Sequence, residues 1–296
     1  MPGFITAPGT GQAAARHRFP ESCDGGASPT GALLYRQYVR RGRVPGETPE
    51  SCVYHVRRHN TMTIERQGEF LVDWDLAGEL SVGIESDNLS ACVAEARKRK
   101  AAGVFGAPCF GFKQHDLSFL ADLPGLQSIW FWDVAMKNIE GVYALRGIKR
   151  FGVHPKRPGI DFSRLSTLEE VVWEYNKTDT GLEALDRLKL LHIWHYTPKK
   201  MSFDGIIIPE SVEDLQINWA NPISLAGLPA MPKLKRMEIH RCRNLETLAE
   251  LPSIAPGLEY LVVDACGRVA DGKAVVKKLT KLKHAYVRDA VLVSKR

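Results

Sequence analysis

The chain repeats one pattern of apolar positions, apolar-x-x-apolar-x-apolar, eight times between Leu126 and Val287. Successive units start 20 to 24 residues apart. The last two apolar residues of each unit are two positions apart, which is the spacing of side chains on one face of a β-strand. One strand cannot bury such a face alone, so the pattern predicts stacked units that share a continuous core behind a parallel sheet. The units are Leu126/Ile129/Phe131, Ile148/Phe151/Val153, Leu168/Val171/Trp173, Leu188/Leu191/Ile193, Val212/Leu215/Ile217, Leu234/Met237/Ile239, Leu258/Leu261/Val263 and Leu282/Ala285/Val287.

The segments that connect the predicted strands carry a second pattern. Residues 116–126, 179–188, 221–229 and 244–252 each begin with a polar residue and then place leucines three apart. This spacing predicts a short helical turn that directs both leucines into the core. The leucine pairs are Leu120/Leu123, Leu182/Leu185, Leu225/Leu228 and Leu248/Leu251.

Together these segments resemble the leucine-rich repeats of bacterial internalins, over about residues 100–293. The resemblance implies an α/β solenoid, a right-handed curved array of parallel strands with short helical or 3₁₀ segments on its convex side. That family usually places Asn or Cys three residues after the last apolar position, where the side chain bonds free backbone groups. Only Asn176, Cys242 and Cys266 meet this requirement among the eight units. We therefore expect several turns to be stabilised in another way.

The residues before the repeats predict a β-rich cap. Alternating apolar residues flank Gly68, with Met62 and Ile64 before it and Phe70, Val72 and Trp74 after it, which is typical of a hairpin. Two further units, Ala77/Leu80/Val82 and Ala101/Val104/Gly106, are separated by a predicted helix over residues 90–100, with Cys109 at the turn position of the second.

These patterns divide the chain into three parts. Residues 1–50 form a tail, residues 51–100 form an N-terminal cap with a hairpin and a helix, and residues 101–296 form the solenoid. A cap is expected because an uncovered first repeat would expose its core. The tail is rich in Gly, Pro, Ala and Ser with little apolar periodicity, so we expect it to be disordered.

The positive charge of the chain is concentrated near its N-terminus. The net charge is +6, and residues 1–66 contain nine arginines against five acidic residues. The arginines from Arg36 to Arg43 are either a nucleic-acid-binding arm or part of a solvated tail. The second interpretation needs no partner and is the one we favour.

Other sequence features bear on location and cofactors. The sequence lacks the run of about 18 apolar residues that a membrane-spanning helix needs. Residues 1–16 lack the apolar core of roughly 7–15 residues found in a secretory signal. The six cysteines are widely spaced without a Cys-x-x-Cys motif, which favours reduced thiols. We expect a cytoplasmic protein with no cofactor and no membrane contact.

Residues between and beside the apolar pairs point away from the core, onto the concave face of the predicted array. Four of the six tryptophans and five of the nine histidines fall at such positions. Trp, Tyr and Arg exposed on one rigid surface are typical of protein-binding sites. The simpler interpretation is that these rings cover the sheet and stack on each other. We predict a protein-binding face made of Trp130, Trp132, Tyr175, His192, Trp194, His195, Trp219 and His240.

Two other function classes stay open. The first is a metal-dependent enzyme, because His192 and His195 lie near His154 and Glu174 of neighbouring units, but no His-Glu-x-x-His or Gly-x-Ser-x-Gly motif is present. The second is a nucleic-acid-associated protein that binds through its N-terminal arginines. Equivalent outward positions of successive repeats should form columns across the sheet. Opposite charges alternate within these columns, so the repeats themselves do not predict a phosphate-binding stripe. The expected lateral pairs are Arg150/Glu170, Asp214/Arg236 and Asp264/Arg288.

Overall fold

All described strands belong to one 13-stranded sheet whose spatial order is the order of the chain. The structure is a computed structural model that describes residues 64–75, 78–153 and 156–295. β3 to β12 pair in parallel, and β1, β2 and β13 pair antiparallel with their neighbours. The strands are β1 Glu65–Gln67, β2 Phe70–Trp74, β3 Leu80–Gly83, β4 Gly103–Gly106, β5 Ser128–Phe131, β6 Arg150–Val153, β7 Glu170–Glu174, β8 Leu190–Trp194, β9 Asp214–Asn218, β10 Arg236–His240, β11 Tyr260–Asp264, β12 His284–Val287 and β13 Ala290–Ser294.

The apolar pattern of the eight predicted units is the core of this sheet. Each of the 24 apolar positions is buried, and none is more than 6% exposed. The strands pair in register, so that equivalent residues of successive units stand side by side, as in Met237 against Leu215 and Leu261. A sheet in which each strand pairs only with the strands next to it in the chain is typical of a repeat array and is consistent with a solenoid.

The connecting segments place their leucines as predicted, but only some of them are helical. All eight leucines of the four pairs are buried. Residues 116–126 and 179–188 contain 3₁₀ turns, whereas residues 221–229 contain bends and turns only. The 3₁₀ turns are Ser86–Asn88, Pro108–Phe110, Ser118–Asp122, Glu140–Ala144, Phe162–Leu165 and Leu182–Ala184, and the α-helices are α1 Leu89–Lys98, α2 Leu251–Ile254 and α3 Gly272–Lys278.

At the N-terminal side of the array, the predicted hairpin is present as β1 and β2. Gln67 pairs with Phe70 across a two-residue turn, in which Gly68 has a φ of 60° that favours glycine. The strands of the two additional units are present as β3 and β4. They pair with each other in parallel, and α1 connects them in the sequence. The parallel array therefore begins at Leu80. Cys109, expected at a turn inside the coil, is exposed.

The turns between β6 and β8 are closed by a buried ion pair in place of repeated Asn residues. Arg157 Nη1 and Nη2 donate to the two carboxylate oxygens of Asp179 at 2.7 and 2.8 Å. Asp179 also accepts bonds from the Ile160 backbone N–H and the Trp173 indole N–H at 2.9 and 2.8 Å. Asn176 donates to the Arg157 carbonyl at 3.1 Å. These bonds satisfy backbone and side-chain groups that the irregular sequence would otherwise leave unpaired.

The cysteines at the later turns act as weak donors to backbone carbonyls. Cys242 Sγ lies 3.6 Å from the His240 oxygen, and Cys266 Sγ lies 3.3 Å from the Asp264 oxygen. Cys92, Cys242 and Cys266 are buried free thiols.

Several sequence predictions fall on residues that the structure does not describe. The tail of residues 1–50 with Arg36–Arg43, Cys23 and Cys52, and also Met62, Ala77 and His154 lie outside the described residues. Within the described ranges, no helix is both long enough and apolar enough to span a bilayer. The three-part division of the chain stays a prediction.

Candidate functional site

The face of the sheet opposite the core, here called the outer face, carries the residues that the sequence places on a concave surface. Strand register aligns them in columns, with Asp214, Arg236, Tyr260 and His284 side by side across β9 to β12. Neighbouring members of a column lie about 4.8 Å apart. Side chains from different repeats therefore contact each other directly.

A row of aromatic rings follows the carboxyl ends of the strands from β5 to β9. The Trp132 ring lies 5.8 Å from that of Trp194, although their strands are three apart, so Trp132 reaches across β6 and β7. Trp194 lies 6.4 Å from His195, and His195 lies 6.2 Å from Trp219. Trp132, His195 and Trp219 are partly exposed. We call this row, with Arg241 and Arg243 beside it, the rim.

The rim is positioned by an unusual backbone conformation. His195, Trp219 and Arg241 follow their strands with φ values of 54°, 55° and 56°, in the left-handed region. Each backbone N–H donates to the next strand, as His195 does to the Asn218 carbonyl and Trp219 to the His240 carbonyl, both at 3.0 Å. A bulky residue in this region costs about 1 kcal/mol or more. The bonds between repeats offset that cost and fix the direction of these side chains.

Trp194 is the buried member of the rim. It is 2% exposed, so the expectation that it is an exposed anchor is wrong, because Trp132 and His195 pack against it. Glu174, in the neighbouring strand, is 3% exposed and bonds to His195 Nδ1 through Oε1. Trp194 and Glu174 therefore support the exposed rings from below.

Tyr175 also departs from the predicted arrangement. It is partly buried, and its ring lies 5.5 Å from Trp173 and 4.8 Å from Tyr196. Tyr196 in turn stacks on Phe203 at 5.4 Å. Tyr175 thus packs with an aromatic group on the core side and has no ring contact with the rim.

Trp130 lies flat on the outer face because its neighbour has no side chain. A Cβ atom at Gly152 would lie only 2.3 Å from the Trp130 ring. The two residues pair directly between β5 and β6. Trp130 therefore covers Gly152, as the stacking interpretation predicted, and remains partly exposed.

The centre of the outer face is a network of charged and polar groups around Glu238. Its carboxylate bonds to Arg236, lies 2.8 Å from His240 Nε2 and accepts from Gln216 Nε2 at 3.2 Å. Burial opposes ionisation, but the bond from His240 and the charge of Arg236 outweigh it and lower the pKa of Glu238 to about 2. Glu238 is therefore ionised at neutral pH.

Two neighbours of this network titrate differently because they are desolvated. Burial raises the pKa of Asp214 to about 6, against the opposing charge of Arg236. Burial lowers the pKa of His192 to about 4, although the charge of Glu238 acts in the other direction. His192 is therefore neutral and not a cation at physiological pH.

Of the three lateral ion pairs expected within columns, one is present. Arg236 Nε lies 3.6 Å from Asp214 Oδ2. Arg150 does not pair with Glu170 but with Asp75, at 2.9 Å, and with Glu79, two residues that lie between β2 and β3. The expectation for Arg288 is also wrong, since it donates to the Val269 carbonyl at 3.2 Å.

The predicted face does not include Arg241, which directly follows β10, and it also lacks the rim residue Arg243. Its guanidinium lies 5.9 Å from the Trp219 ring centre, and that of Arg241 lies 5.2 Å from it. Arg243 follows the buried turn residue Cys242 and lies beyond the end of β10, so strand periodicity does not place it. The only sequence signal is the presence of two arginines that flank Cys242.

The metal-enzyme alternative gains no support from the described residues. Among them, no group of three or more His, Cys, Asp and Glu side chains is arranged to hold a metal ion. His195 bonds to Glu174, and His240 Nδ1 lies 3.8 Å from Asp264 Oδ2.

Comparison with known proteins assigns no family and no function to the chain. No protein-family model and no curated protein matches the chain. Among solved structures, the chain is similar to an internalin from Listeria monocytogenes at 14% sequence identity, with a TM-score of 0.43. The similarity covers 67% of this chain and 64% of the internalin chain. The strand order and register described above, and not this likeness, establish the repeat-like parallel sheet.

Proposed function

We propose that the chain is a non-enzymatic protein-recognition module whose partner binds at the rim. The observation that carries the proposal is the row of partly exposed rings, Trp132, His195 and Trp219, at the strand ends. His195 contacts Trp219, and the buried ring of Trp194 connects Trp132 to His195. Clustered aromatic and arginine side chains are the composition of binding hot spots. A surface already fixed by its backbone loses little conformational entropy when it binds.

The proposed partner is a protein and not an extended polyanion. The outer face contains Asp214, Glu238 and Asp264 between its arginines, and these carboxylates interrupt any continuous positive stripe. Apolar rings with charges of both signs around them fit a protein surface with mixed polarity.

The test is capture of partners from a native lysate by the full chain and by a Trp132→Ala/Trp219→Ala variant. Both rings are partly exposed, so their removal leaves the repeat core intact. We expect a protein that the unsubstituted chain retains and the variant loses. Thermal unfolding of both proteins checks that the variant folds.

The matched control is Ile207→Ala/Ile223→Ala, which removes two large exposed apolar side chains from connecting segments away from the rim. Ile207 is 54% exposed and Ile223 is 46% exposed. Capture that survives the control but not the rim variant supports the proposal. Capture lost in the control and kept in the rim variant would place the binding surface in the connecting segments.

A further inference from the structure

Two arginines surround the half-buried ring of Trp219 at one end of the rim. Arg241 and Arg243 hold their guanidinium groups 5.2 and 5.9 Å from the ring centre. Arg241 is partly exposed and Arg243 is exposed. Stacking on an indole leaves the planar guanidinium edge, which carries the N–H donors, available to another group.

Unlike Arg150 and Arg236 on the outer face, these two arginines have no acidic partner among the described residues. Arg150 pairs with Asp75, and Arg236 pairs with Asp214 and Glu238. Within the described part of the chain, no carboxylate lies within 4.0 Å of the guanidinium of Arg241 or Arg243. Two adjacent cations without counter-charge form a site for an anion.

Given the proposed function of the rim, on which this inference rests, we propose that the partner presents an acidic segment to Arg241 and Arg243 while its apolar side chains contact Trp219 and Trp132. A carboxylate can accept two parallel N–H bonds from one guanidinium, which fixes its orientation. The left-handed backbone at Arg241, with φ 56°, and its N–H bond to the Asp264 carbonyl at 2.9 Å, set the direction of the side chain before binding.

Charge also distinguishes this occupant from two others. Residues 1–63 of this chain contain eight arginines and four acidic residues, so their net charge is +4 and opposes docking on two arginines. A nucleic acid requires cations along its whole path. Asp264, in the strand next to β10, places a carboxylate 3.8 Å from His240 Nδ1 and so interrupts such a path.

The experiment selects peptides from a phage-displayed library of random 12-residue sequences on the immobilised full chain. The same selection is made on Arg241→Gln/Arg243→Gln. The matched control, Arg146→Gln/Arg187→Gln, removes two exposed arginines away from the rim, and so changes the net charge equally. Individual selected peptides are then titrated against all three proteins by fluorescence anisotropy.

We expect the unsubstituted chain and the control to enrich Asp and Glu at least about twofold over the library. We expect the selected peptides to bind Arg241→Gln/Arg243→Gln about tenfold more weakly, with loss of affinity at high salt. Peptides without acidic enrichment, or equal binding to all three proteins, would overturn the inference. If peptides without acidic enrichment still lose binding when Trp132 and Trp219 are replaced, the inference fails but the proposed function of the rim stands. If replacement of rim residues weakens the binding of no peptide, the inference and the proposed function both fail. A 20-nucleotide single strand that binds more tightly than the peptides would replace the acidic segment with nucleic acid.

Discussion

Arg157 and Asp179 show how single residues hold an irregular repeat together. Their side chains are 0% and 1% exposed, and the carboxylate also accepts bonds from a backbone N–H and an indole N–H. Taking both charges out of water costs several kcal/mol, which their attraction and additional bonds must offset. The pair is therefore a poor source of net stability, but loss of one partner leaves an uncompensated buried charge.

This asymmetry predicts a large effect for Asp179→Asn. The substitution keeps the shape of the side chain but leaves Arg157 charged and unpaired, so we expect the free energy of unfolding to fall by about 3 kcal/mol or more. Urea denaturation measures it. The control is Glu246→Gln, which breaks the exposed pair with Arg268 at 3.6 Å and should cost less than about 1 kcal/mol. Equal effects of the two substitutions would show that the 157–179 pair is not desolvated.

His192 gives a prediction about pH. Its pKa in the folded chain is about 4, below the unfolded value of about 6.5, so the unfolded chain binds a proton first as the pH falls. This residue therefore lowers stability progressively from pH 6.5 to pH 4. Asp214 acts in the opposite direction, because its folded pKa of about 6 lies above the unfolded value, and the folded chain gains stability as the pH falls over the same range.

Replacement of His192 separates the two contributions. In His192→Gln the Asp214 contribution remains and the histidine contribution is lost. Relative to the unsubstituted chain, we expect the variant to gain about 2 kcal/mol in free energy of unfolding between pH 6.5 and pH 4. Urea denaturation at several pH values gives both curves. Parallel curves would show that His192 is not desolvated in the folded state.

At the scale of the element, several strand ends combine a regular ladder with a strained residue. The left-handed conformation recurs after β5, β8, β9, β10 and β11, at Asp133, His195, Trp219, Arg241 and Ala265. At His195, Trp219 and Arg241 the same hydrogen bond joins the strand end to the next repeat, as Arg241 N–H does to the Asp264 carbonyl. The strain is thus a property of the repeat and not of one site.

Ala265→Gly tests this interpretation because glycine tolerates positive φ. Ala265 is exposed with a φ of 53°, so the substitution should remove strain and raise the free energy of unfolding by up to about 1 kcal/mol. The control is Ala184→Gly, at an exposed position with ordinary φ, which should lower stability by about 0.5–1 kcal/mol. Destabilisation by both substitutions would contradict a strained strand end.

The strands and core were predictable because a period of 20 to 24 residues with buried apolar positions leaves few alternative arrangements. The absence of a helical turn in residues 221–229 was not predictable, since leucines three apart are buried equally well by bends. The ion-pair partner of Arg150 could not be predicted from the sequence either. Glu79 is 71 residues away in sequence, and only folding of the chain brings it next to Arg150 of β6.

At the scale of the whole molecule, register along the array turns separate repeats into one surface. The sequence predicted the columns correctly, and with them the partly exposed Trp132, His195 and Trp219. It did not predict that Trp194 would be buried under two neighbours, because strand periodicity gives the direction of a side chain but not what later covers it. It also gave no reason to place Arg243 beside Trp219.

The array has one edge at β1 and another at β13, and the rim runs between them along the strand ends. The central claim is that a protein partner contacts this rim and not the connecting segments. Site-specific photocross-linking distinguishes the two most directly. Benzoylphenylalanine replaces Trp219 in one chain and the exposed Ile207 in another, and each chain is irradiated in native lysate. If the partner contacts the rim, we expect a discrete cross-linked protein from position 219 and none from position 207. A cross-link from position 207 alone would contradict it.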